Sequence, residues 1–150
     1  MQRKAFTVIE VLMAIGIIVV LAGLSVPTAD IFLSRNELHT EALKMTDALR
    51  RARNQAMSGQ EDSAWGVHFT AGDYTVFKGA SYNPSDSYNE TFNLPGILSI
   101  SAITINGGGS EIIFDRIAGT TSTFGTTTIQ TDTSESQTIV VNSGGVINLQ

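Results

Sequence analysis

Apolar residues follow three different spacings along the chain, and each spacing predicts a different element. From Val11 to Ala29, nineteen consecutive residues carry no charge, and most are branched aliphatics. Read as one helix, residues 6–29 would be about 36 Å long, enough to cross a bilayer core of ~30 Å. Beyond Pro27 polarity rises, but Leu38, Ala42, Met45, Leu49, Ala52 and Ala56 recur in alternating steps of four and three. That is the stripe of an amphipathic helix that buries one face. Gly59 supplies a C-terminal stop. The pattern predicts one nearly continuous helix from about Thr7 to Met57, apolar over 6–29 and amphipathic over 30–58.

From Gly59 onward the period falls to two. Strands are predicted at 64–69, 74–78, 98–105, 111–115, 126–131, 137–142 and 146–149, with hairpin-like turns at 70–73, 106–109 and 143–145. Residues 79–93, rich in Ser, Asn, Tyr and Asp and containing Pro84, read as a loop. Short strands at this spacing imply antiparallel sheet. The class is α+β: a long N-terminal helix packed on a β-rich domain over 59–150.

Charge narrows the function. After Arg53 only Lys78 and Arg116 are basic, against nine acids. A phosphate-binding surface needs clustered cations, so nucleic acid is not an expected partner. On the amphipathic helix, Glu41–Lys44 and Asp47–Arg50 are opposite charges at i,i+3, and Asp47–Arg51 is such a pair at i,i+4. Arg50, Arg51 and Arg53 read as a solvated face that suits the negative end of the helix. With no Cys, disulfides, thiolate metal sites and a cysteine nucleophile are ruled out. His39 and His68 read as structural, and no nucleophile elbow, Walker loop or dinucleotide fingerprint occurs. Asn83, Asp86, Asn89 and Glu90 are a weak calcium candidate in a loop. The expectation is no enzyme, no metal and no cofactor.

The N-terminus holds the most specific signal. Arg3 and Lys4 precede the apolar run and no cation follows until Arg35, so the N-terminus is expected in the cytoplasm and the remainder across the membrane. Glu10 interrupts the apolar segment. A carboxylate there costs roughly 2.5–3.5 kcal/mol on insertion scales, and such residues are functional by default. Lys4-Ala5-Phe6-Thr7-Val8-Ile9-Glu10, followed by the apolar run, resembles the class III signal of type IV pilins and pseudopilins. The resemblance implies cleavage by prepilin peptidase between Ala5 and Phe6, leaving 1–5 as a leader, and N-methylation of Phe6. The family usually has Gly where this chain has Ala5. The resemblance also gives Glu10 a role in filament assembly, meeting the free amine of a neighbouring subunit. Pro27 is expected to kink or locally open the helix.

A narrower resemblance covers much of the rest. Leu49-Arg-Arg-Ala-Arg-Asn-Gln-Ala56, Trp65-Gly-Val-His-Phe69, Tyr74-Thr-Val-Phe77, Ile112-Ile-Phe-Asp-Arg-Ile-Ala-Gly119 and the segment from Ile139 to Ile147 are similar to the H-type minor pseudopilins of type II secretion and the FimT/FimU-type minor pilins. This implies a filament subunit held in the inner membrane and bound by lipid before assembly. Its partners would be other pilin or pseudopilin subunits, prepilin peptidase and an inner-membrane assembly platform. The alternative is a tip-located minor pilin acting as an adhesion module through residues 79–93.

Overall fold

The computed structural model describes the backbone of residues 6–150 and the side chains of 6–23 and 34–150. One helix, α1, runs Val8–Met57. After a single 3-10 turn at Gln60–Asp62 come eight strands: β1 Trp65–Phe69, β2 Asp73–Lys78, β3 Glu90–Asn93, β4 Leu98–Ile105, β5 Glu111–Phe114, β6 Gly125–Thr131, β7 Ser136–Val141 and β8 Ile147–Leu149. Two compact units meet at Arg35/Asn36 along the sequence. Helix assignment is unbroken through Pro27, whose side chain is outside the described set.

The second unit holds the core. Its strands form two four-stranded antiparallel sheets, ordered β3-β2-β1-β5 and β4-β6-β7-β8. Every residue of the predicted stripe on α1 is exposed 3% or less. That stripe packs with Val67, Phe69, Tyr74 and Phe114 of the first sheet and Ile100, Ile129, Ile139 and Val141 of the second in one hydrophobic cluster. Spacings of four and three put these side chains on one helical face, and removing that face from water is the main term holding α1 to the sheets. Gly59 has φ 68° and closes the helix, donating its N–H to Ala56 O at 3.0 Å. Ala56 O also accepts from Ile117 N at 2.9 Å, so a strand-connecting loop caps the helix end.

Two sequence expectations fail here for physical reasons. The segment 79–93 is not all loop: its last four residues form β3, pairing Tyr74 with Phe92 and Thr75 with Thr91. Edge position explains the miss, because Glu90-Thr-Phe-Asn93 carries a single large apolar side chain and no clear alternation. The glycine turn after β4 is not a hairpin. β4 belongs to one sheet and β5 to the other, and Gly107, Gly108 and Gly109 all take positive φ, between 79° and 88°. Three successive left-handed residues let the chain change sheets where any side chain would be strained. The hairpins β1–β2 and β6–β7 form in the expected antiparallel pairings.

Candidate functional site

Phe6 and Val8 are each 78% exposed, and from Ile9 to Leu21 every large apolar side chain is exposed as well. The exposure runs round the helix rather than along one stripe. A helix apolar on all sides is stable only inside lipid or among other helices. Met13, Gly16, Ile17, Val20 and Leu21 line a shallow apolar groove of about 430 Å³. Their spacing places them on one face, and the missing side chain at Gly16 opens the groove. Among the described residues no helix is long and apolar enough to cross a membrane alone; the span expected over 6–29 includes residues beyond those whose side chains are described.

Local geometry starts the helix at a defined place. Thr7 Oγ1 accepts from Glu10 N at 3.4 Å, while Thr7 O accepts from Glu10 N at 3.1 Å and Val11 N at 3.3 Å. Thr7 is thus the N-cap and Glu10 the third helical residue, the positions of a capping box. A carboxylate in the first turn also suits the positive end of the helix dipole. Thr7-Val-Ile-Glu10 carries that pattern in the sequence itself, so Glu10 has a structural reason in addition to the assembly role its resemblance implies. Phe6 stands immediately before the cap and is free of the helix body. Ala5 lies outside the described residues.

The arginine cluster at the end of α1 does not form a solvated face. Arg51 turns away from Asp47 and pairs with Glu90 of β3, with nitrogen–oxygen distances of 2.7 and 3.0 Å, its guanidinium 5.5 Å from the centre of the Phe92 ring. Arg53 donates to Gly119 O at 3.1 Å and Gly144 O at 3.4 Å, tying two loops to the helix. Arg50 alone behaves as expected, 3.4 Å from Asp47 and exposed. The predicted Glu41–Lys44 pair forms at 2.7 Å. Long-range acceptors outcompete i,i+4 partners because a planar guanidinium reaches carbonyls and carboxylates that a helix neighbour presents poorly.

The histidines and the long loop serve the fold. His39 Nδ1 lies 3.1 Å from Gln137 Nε2, linking α1 to β7. His68 stacks on Tyr82 with centroids 4.2 Å apart, and its Nδ1 is 3.4 Å from Glu111. Asp86 Oδ1 accepts from Tyr88 N at 2.9 Å, and Asn83 Oδ1 accepts from Ser85 N at 3.1 Å. Of the loop residues considered for calcium, Asn83 and Asp86 therefore make turns, Asn89 Nδ2 donates to Asn83 O at 2.7 Å, and Glu90 holds Arg51. Among the described residues no cluster of three or more His, Asp or Glu is arranged to hold a metal. Trp65 is buried with Nε1 donating to Gln60 O at 3.1 Å, and the exposed Tyr88 sits edge-on to it. Lys78 Nζ, 3.7 Å from the Tyr88 ring centre, completes this anchor. Residues 79–89 are thus held down by their aromatic side chains.

Residues 41–145 match the family described as type II transport protein GspH. In structure the chain is similar to the minor pseudopilin EpsH from the type 2 secretion system of Vibrio cholerae, with a TM-score of 0.58 and 14% identity, covering 76% of this chain and 96% of that one. At this identity the likeness shows a shared fold: a helix packed on antiparallel sheets. No curated protein matches the chain.

Proposed function

The chain belongs to the family of the type II transport protein GspH, and from that premise we propose that it is a minor pseudopilin of a type II secretion filament. Prepilin peptidase removes 1–5 by cutting between Ala5 and Phe6, and Phe6 is then N-methylated. Before assembly the protein sits in the inner membrane as a single-pass protein. Its N-terminus faces the cytoplasm and its β-domain lies outside. An inner-membrane platform hands it to the filament, where its helix packs among those of other subunits.

The observation that supports this reading is the apolar surface from Val8 to Leu21, exposed on every side of the helix. Lipid covers it in storage and neighbouring helices cover it in the filament. At roughly 25 cal/mol per Å² of apolar surface removed from water, this is the dominant favourable term for both states. Lipid and helices are equally apolar, so the choice between them needs a polar discriminator. Glu10 provides it: in a low-dielectric bundle its carboxylate is costly alone and is compensated by the amine of an adjacent Phe6. Pro27, with no N–H to give, is where the helix can open during packing.

The test is the sheared filament fraction of the native host. Wild-type chain is expected there, and Glu10→Leu is expected to remain in the inner membrane. Wild-type chain missing from filaments would overturn the filament reading. Glu10→Leu entering as well as wild type would overturn the role given to Glu10.

A further inference from the structure

A cavity of about 220 Å³ opens between α1 and the edge of the first sheet, lined by Lys44, Asp47, Ala48, Arg51, Tyr74 and Phe92. Ordinary small-molecule sites run from roughly 300 Å³ upward, so this one has the size of a single side chain. Its floor is apolar: Ala48, and the Phe92 and Tyr74 rings stacked 5.2 Å apart. Two residues that carry donors, Tyr74 and Arg51, line it. Tyr74 is 1% exposed and its side chain lines the cavity. Arg51 Nε is buried without a hydrogen-bond partner, although the guanidinium tips pair with Glu90. Burial, then the nearby Glu41 carboxylate, pushes the Tyr74 phenol up to about 12, so the hydroxyl remains a donor. The charges around the cavity are already matched, Lys44 with Glu41, Arg51 with Glu90 and Asp47 with Arg50. The cavity therefore calls for an acceptor oxygen and not for a further ion.

The strand beside the cavity says how that oxygen would arrive. β3 is an edge, paired only to β2. Leu94 N donates to Gly72 O at 2.9 Å, and alternation from there turns Phe92 toward β2 and the backbone groups of Thr91 and Asn93 outward. Those outward groups have no backbone partner among the described residues. A strand added along this edge would exchange hydrogen bonds with Thr91 and Asn93. Its residue opposite Phe92 would share the face of Phe92 and Tyr74 and would enter the cavity.

We propose that this edge and cavity form a docking site for an extended segment of a neighbouring polypeptide, which pairs with β3 and inserts one side chain ending in an acceptor oxygen, Gln being the best fit to a charge-balanced pocket. Backbone pairing supplies attachment and the pocket supplies selection. The proposal stands apart from the filament reading, since it rests on α1 from Lys44 to Arg51 and on the first sheet, with no residue of the apolar N-terminal segment.

The test uses the full ¹⁵N-labelled chain in detergent micelles, titrated with the blocked peptide Ac-Thr-Gln-Thr-Gln-Thr-NH₂. Amide shifts at Thr91 and Asn93 and a shift of the Arg51 Nε resonance are expected together. The same peptide with Leu for Gln should bind about fivefold more weakly. Tyr74→Phe, which removes only the hydroxyl, should weaken the Gln peptide by a similar factor and leave the Leu peptide unaffected. Asn93→Pro removes an outward donor and spares the β2 pairing, and should abolish shifts at the edge. Unchanged β3 amides at millimolar peptide, or equal affinity for the Gln and Leu peptides, would overturn the proposal.

Discussion

The apolar segment from Val8 to Leu21 and the striped segment from Leu38 to Ala56 belong to the same helix, yet they stand in opposite relations to water. Along the stripe, the apolar face is buried by the chain's own sheets. Along the first segment, every large apolar side chain is exposed. Secondary structure is common to both, so the difference is one of partners. The striped half finds its cover within the chain, where its spacing of four and three puts the buried side chains on one face. The first half is apolar on all sides, which no single face of a small domain can cover. Its cover has to come from lipid or other helices, which is what the proposed filament role supplies.

The largest expected effect separates the two halves directly. Leu49→Ala leaves a cavity in the core and should cost about 2–5 kcal/mol of β-domain stability in chemical denaturation. Leu12→Ala in the same helix should change it by less than about 0.5 kcal/mol. A comparable loss from Leu12→Ala would break the comparison. Next in size is Arg53→Met, which removes a charged donor from Gly119 O and Gly144 O. It should cost about 2 kcal/mol and increase amide exchange near both glycines.

A pH test sharpens the burial of Tyr74. Its folded value is raised to about 12 from an ordinary 10.0. Below pH 10 both states keep the proton and the group contributes no pH dependence. Between 10 and 12 the unfolded chain releases it first, so stability falls by about 1.4 kcal/mol per pH unit. Tyr74→Phe should show a correspondingly smaller loss over that window in denaturation curves. Arg51→Gln should be the mildest change, below about 1 kcal/mol, because the pair with Glu90 is half-exposed.

How much was legible in advance follows the range of the interactions. The α1 stripe and the Gly59 stop are local patterns, and both appear where the spacing places them. The β6–β7 hairpin is equally local. Strand β3 is not, because an edge strand with Phe92 as its one large apolar residue has no pattern of its own. The sheet switch at Gly107–Gly109 reads as a hairpin until the partner of β4 is known to be β6. Arg51 has a helix neighbour of the right charge in Asp47, but the acceptors that Arg51 and Arg53 take are far along the chain. At the N-terminus the Thr7–Glu10 cap is written in four residues. The amine proposed to meet Glu10 would belong to another chain, so no pattern within this sequence displays it.

The central claim is that the N-terminal helix is processed for assembly, and the N-terminal peptide mass of the protein made in its native host tests it most directly. The account predicts a chain beginning at Phe6 and carrying one additional methyl group. A chain that retains Met1, or one that begins beyond Ser25, would contradict it.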